Sequence, residues 1–144
     1  MSPIRCLPFA VLLALLVPLH AHLRADDKKP GKAPFEGSWT KKDGDLRLEF
    51  TGKDGLKIYP HGDKEMIAVV CEYTVGKDGV VKAKVTALEA KEDFKAKLKE
   101  VVPVGFKFQF KYVVTKDTAK LEDVTGEKTE TIQSFLEGEY EAKK

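Results

Sequence analysis

From Asp45 onward, apolar residues fall at every second position in run after run, and each run stops at glycine or at a polar pair. DLRLEF sets Leu46, Leu48 and Phe50 on one face and Asp45, Arg47 and Glu49 on the other. EMIAVVCEYTV places Ile67, Val69, Cys71, Tyr73 and Val75 on one face, with a mixed face of Met66, Ala68, Val70, Glu72 and Thr74 opposite. In GFKFQFKYVV, Phe106, Phe108, Phe110 and Tyr112 alternate with Lys107, Gln109 and Lys111. This pattern predicts strands with one face in the core and one in water.

The breaks are as regular as the runs. GKDG occurs at 52–55 and again at 76–79, with Lys42-Asp43-Gly44 and His61-Gly62-Asp63 in equivalent places. Asp-Gly supplies the positive φ of a tight hairpin, so successive strands are expected to be antiparallel neighbours. Two segments depart from this rhythm. AKEDFKAKLKEVV spaces Ala90, Phe94, Leu98 and Val101 at helical intervals. It predicts a short helix or long loop near 90–102, a solvated connector resting its apolar stripe on the core. EKTETIQSFLEG predicts a short helical turn near 129–136, capped by Thr129 or Thr131 and carrying Ile132, Phe135 and Leu136.

Counting FEGSWTK first and GEYEAK last, the strands number eight. A meander of that length hides its edges most economically by closing, so the expected fold is all-β, an eight-stranded antiparallel up-and-down barrel. A two-sheet sandwich is the alternative, although sandwiches use longer Greek-key connections. Closure requires the first and last strands to meet, and the chain carries matched pentads there: FEGSW at 35–39 and LEGEY at 136–140, each followed by a double lysine. Gly37, Trp39, Gly138 and Tyr140 are therefore expected to close the barrel. The glycines would serve where backbones crowd or bend, and the aromatics would seal a seam between adjacent antiparallel strands.

Composition then sets the address. Arg5 precedes an apolar run from Leu7 to Leu19, and small and polar residues lead to Asp26-Asp27. That is the plan of a secretory signal peptide over 1–25, and the run is shorter than the roughly 20 residues a membrane span needs. An uncleaved anchor is the competing reading. DKKPGKAP reads as a flexible linker over 26–34, leaving 35–144 as a single barrel domain. Export to the periplasm or the outside follows from the signal, with no membrane association after cleavage. Without Arg5 and Arg24 the 25 basic residues become 23 against 23 acidic ones. A balanced exterior gives no basic stripe for nucleic acid and no pull toward anionic lipid. Cys71 remains as the one cysteine beyond the signal segment, so no internal disulfide is expected.

Gly37-Ser38-Trp39 at the head of the first strand resembles the Gly-x-Trp signature of lipocalins and the wider calycin group. The resemblance implies an eight-stranded barrel that holds small apolar molecules, with Trp39 plugging its closed end. The chain has Thr115-Lys116-Asp117 where lipocalins carry Thr-Asp-Tyr, and Arg47 as the only arginine beyond the signal. The arginine that lipocalins stack on the tryptophan would have to be replaced by Lys143, which lacks a planar guanidinium. In outline the chain is similar to small lipocalin-like exported proteins of planctomycete bacteria.

The chemistry points the same way. His61 stands in a turn, Ser38 and Ser134 lack a nucleophile-elbow context, and no His and Cys have metal-ligand spacing, so neither an enzyme nor a metal or cofactor site is expected. Paired acids such as Glu92-Asp93 are interleaved with lysine and read as solvated faces. The barrel interior is the concave apolar site the pattern implies, wide enough to be filled or to hold one small ligand. Tyr73, Phe106, Phe108, Phe110, Tyr112 and Cys71 are the candidate ligand-facing residues. The two tyrosines stand out because a buried hydroxyl needs a partner that a ligand's polar group would supply. The expected function is a monomeric binding module for a small apolar or amphipathic molecule; the alternative is a solid barrel that meets other envelope components.

Overall fold

The computed structural model describes residues 35–144 apart from Lys53 and Glu65. The expected signal segment and linker lie outside the described residues. Eight strands follow in order: β1 (Gly37–Lys41), β2 (Arg47–Thr51), β3 (Gly55–Tyr59), β4 (Ile67–Val75), β5 (Val80–Ala90), β6 (Lys107–Thr115), β7 (Thr118–Gly126) and β8 (Gly138–Ala142). Helix α1 (Glu92–Val101) joins β5 to β6, and α2 (Glu130–Leu136) joins β7 to β8. Each strand pairs antiparallel with the next and β8 pairs with β1, which closes the barrel and excludes the sandwich. At the seam Trp39 lies opposite Ala142 and Lys41 opposite Tyr140, so the two aromatics occupy adjacent antiparallel strands as expected.

Alternation of direction sorts the connections. The short turns after β2, β4 and β6 share one end with Phe35 and the C-terminus. The connections after β1, β3, β5 and β7, both helices among them, share the other. The β4–β5 turn follows the Asp-Gly expectation, with Gly79 at φ +77°. The β2–β3 turn corrects it: Gly52 takes the positive φ at +54°, while Gly55 already pairs with Thr51 as the first residue of β3.

Two β-bulges interrupt the period of two. In β5, Val70 pairs with Ala87 but Cys71 pairs with Val85, so Thr86 is an extra residue. Burial accordingly runs Val81, Ala83, Val85 and then Leu88. In β7 the register slips near Glu122-Asp123, where Asp123 has φ +54°, and burial runs Ala119, Leu121 and then Val124. An extra residue lets each strand bend without turning its core side chains outward.

Arg47 sits on the outward face of β2 as the alternation requires, yet it is buried. Its guanidinium lies 4.2 Å from the ring centroid of Tyr59, its direct cross-strand partner, and the two cover each other from water. The outer wall is otherwise laced by cross-strand ion pairs such as Lys57 with Glu89 at 3.3 Å and Lys111 with Asp123 at 2.8 Å. These exposed pairs keep the surface mixed in sign and add little stability.

Both helical expectations hold in place, with corrections in detail. Ala90 ends β5 rather than starting the helix. Helix α1 buries none of its residues, and Phe94 and Val101 are 44% and 43% exposed, so its apolar stripe does not rest fully on the core. Thr129 precedes α2, but its hydroxyl donates to the Gly126 carbonyl at 3.2 Å instead of capping the helix.

Candidate functional site at the helical end of the barrel

The half of the barrel nearer the short turns is filled by aromatic rings. Tyr112 has five aromatic neighbours: Phe50, Phe35, Trp39, Phe110 and Tyr140, with ring centroids 5.2 to 6.3 Å away. Phe35 also meets Phe50 at 4.7 Å and Tyr73 at 5.8 Å, stoppering that end. Of the candidate ligand-facing residues, Cys71, Tyr73, Phe110 and Tyr112 are buried within this packing, and burial pushes the Cys71 thiol up to about 12. Phe108 is buried closer to the helices, and Phe106, just before β6, is only partly buried.

The matched pentads turn out to be one device used twice. Trp39 Nε1 donates to the carbonyl of Phe35 at 2.8 Å, and Tyr140 Oη donates to the carbonyl of Leu136 at 2.5 Å. In each, the aromatic at the fifth position reaches four residues back to the apolar residue that opens the pentad. The glycine between turns the chain at positive φ, +131° at Gly37 and +150° at Gly138. At Gly138 a β-carbon would also stand 2.7 Å from Lys41 Cε, so the two ends crowd there and not at Gly37. Because β1 and β8 are antiparallel, the two devices sit at opposite ends of the barrel.

Polar satisfaction separates the tyrosines. Tyr140 is bonded, whereas the hydroxyls of Tyr73 and Tyr112 are buried without a hydrogen-bond partner. Burial raises the pKa of both unbonded hydroxyls, aided at Tyr73 by the negative charges of Glu36 and Asp54. Tyr140→Phe is expected to cost about 1–2 kcal/mol by leaving a buried carbonyl unpaired, and Tyr112→Phe to cost nothing or stabilise slightly. Urea midpoints of the two variants measure this difference.

At the other end the barrel is open between the helices. A groove of about 340 Å³ runs from Ile58, Val69 and Phe108 at the barrel mouth to Phe94, Leu98 and Val101 of α1 and Ile132, Phe135 and Leu136 of α2. Among the described residues, Lys97 is the one charged side chain in its lining and Thr131 the one polar neutral residue. The volume lies at the small end of the range for ligand pockets, roughly 300–1,000 Å³.

The two helical walls are held differently. Lys41 Nζ donates to the Phe135 carbonyl at 2.8 Å, placing a cation on the exposed C-terminal carbonyls of α2. Glu137 accepts from the Val124 amide at 3.0 Å and from Gln133 Nε2 at 3.1 Å, tying the helix to the bulge of β7. With the Tyr140 bond to Leu136, α2 is fixed at three points. Helix α1 rests on the core through half-buried Leu98 but buries no side chain fully and has no side-chain cap, so it is held by fewer contacts than α2.

A wider concavity of about 1,020 Å³ lies against the outer wall, where Tyr73, Phe106 and Phe108 reach its margin among outward residues such as Glu72, Thr74, Lys82 and Lys84. Its charges are interleaved in sign, and Glu72 and Lys84 are paired at 3.7 Å. His61 is exposed in the connection after β3. Among the described residues no group of His, Cys, Asp and Glu could hold a metal ion, and no helix is long and apolar enough to cross a membrane.

Phe108 is the candidate residue that the structure brings to the groove. The helix residues that complete it were legible only as apolar stripes. Glu137 and Lys41 carried no signal beyond their place in the matched ends. Comparison with protein-family models, with curated proteins and with solved structures returned no match.

Proposed function

We propose that the protein is an exported, monomeric binding barrel of lipocalin and calycin type that holds a small apolar or amphipathic molecule. The site is the groove under α1 and α2, not the aromatic interior. One observation carries the reading: beyond the aromatic packing of the interior, the exposed apolar side chains Phe94, Val101 and Phe135 gather at the mouth, where two helices turn apolar stripes toward each other over a groove. Exposed apolar patches of this kind mark binding sites. Nothing in the reading requires catalysis or a cofactor. The filled aromatic half is what a solid interaction barrel would have, and that second reading predicts that the groove stays empty.

Native mass spectrometry of the protein purified from its own host, with amide exchange of α1 before and after the uncharged probe N-phenylnaphthylamine, separates the two. A co-purifying small molecule, or probe-induced protection of α1, is expected. Neither a bound molecule nor any change in α1 would sink the binding reading.

A further inference from the structure

We infer that the groove selects an anionic amphiphile with a short chain, its acidic head at Lys97 and its chain in the barrel mouth. This rests on the binding reading above. Among the described residues the charge in the lining has one sign: Lys97 enters it from α1, and no described carboxylate lines it. The acids of the same helix, Glu92, Asp93 and Glu100, do not line it. Lys97 is exposed, so its ammonium can meet a head group at the rim without being buried.

Below it the lining is aliphatic and aromatic, with Leu98, Val69 and Phe108 leading down to the barrel. An apolar cavity with a single cation at its mouth favours a molecule that is apolar at one end and anionic at the other over a neutral or cationic one of equal length. The volume, at the small end of the range for ligand sites, favours a short chain over a long one. Such a ligand would also cover Phe94 and Val101, which stand exposed on α1 beside the core-packed Leu98.

The test uses displacement of N-phenylnaphthylamine by octanoate, octanol and octylamine, which share a chain and differ in head charge. Octanoate is expected to displace the probe roughly fivefold more tightly than octanol, the scale of one partly exposed ion pair, with octylamine weakest. Lys97→Gln is expected to bring octanoate level with octanol and leave octanol unchanged, while Lys99→Gln, on the same helix but outside the lining, changes neither. If octanol matches octanoate in the unaltered protein, the head-group assignment falls and the binding reading stands. If octanoate keeps its advantage in Lys97→Gln, the anion sits elsewhere and the assignment to Lys97 falls. If the probe does not bind at all, both readings fall together.

Discussion

Trp39→Ala is expected to lower the unfolding free energy by about 3–5 kcal/mol, and Tyr140→Ala by a similar amount, as for other large aromatic truncations in packed cores. Each removes a nearly fully buried ring and the bond that holds an end of the barrel. Against a typical domain stability of roughly 5–15 kcal/mol, either change brings the fold near its limit. Val113→Ala, at a residue 54% exposed, serves as the control and should shift stability by less than about 0.5 kcal/mol. Because both rings touch Tyr112, the double variant should fall short of the summed effects. Urea unfolding of the four variants checks all of this, and a Trp39→Ala loss below about 1 kcal/mol would contradict the structure of the seam.

Alkali is expected to weaken the fold from pH 9 upward, and Cys71 accounts for the onset. Its thiol is raised by burial from 9.0 to about 12. The unfolded chain therefore releases this proton first, and stability that is full below pH 9 declines as pH rises toward 12. The slope for one such group is about 1.4 kcal/mol per pH unit. Burial also raises Tyr140 and Tyr112 above 10.0, so the decline should steepen beyond pH 10. Cys71→Ala is expected to lose the decline between pH 9 and pH 10 and to keep the steeper part. Urea midpoints across this range decide it: identical profiles for the variant and the unaltered protein would show that the thiol does not titrate as a buried group.

The strands, their order and their closure were legible because each strand writes its two faces as alternating letters and each turn writes glycine or a polar pair. The matched pentads added the long-range contact that closes the sheet, which alternation alone cannot specify. The bulges were not legible. At Val85-Thr86-Ala87-Leu88 the alternation breaks phase, and a local reading cannot tell an extra residue in a strand from the end of one. The groove was legible only in parts. The stripe of α1 was plain, yet whether it lies on the core or stands away from it depends on how the bend of β5 carries the helix across the mouth. The burial of Arg47 is of the same kind: it comes from Tyr59, opposite it in a register that pattern reading does not provide. That Tyr73 and Tyr112 lie inward followed from alternation; that their neighbours are other rings followed from the barrel's diameter.

The seam between β1 and β8 has one more consequence, for the order in which the barrel assembles. It is short, with Trp39, Thr40 and Lys41 paired to Ala142, Glu141 and Tyr140, and it joins the two ends of the described chain, Lys42 bonding Glu139 across 97 residues. Every other pairing joins consecutive strands, so the sheet can grow by local steps and still lack this contact. The seam cannot form as a local hairpin and is brought within reach only when the seven consecutive pairings are in place, so it is expected to be the last part to form during folding. Until it forms, the nascent sheet has two open edges bearing complementary halves of one joint. At high protein concentration those halves can find each other on different chains, and refolding would then yield strand-exchanged dimers in proportion to concentration.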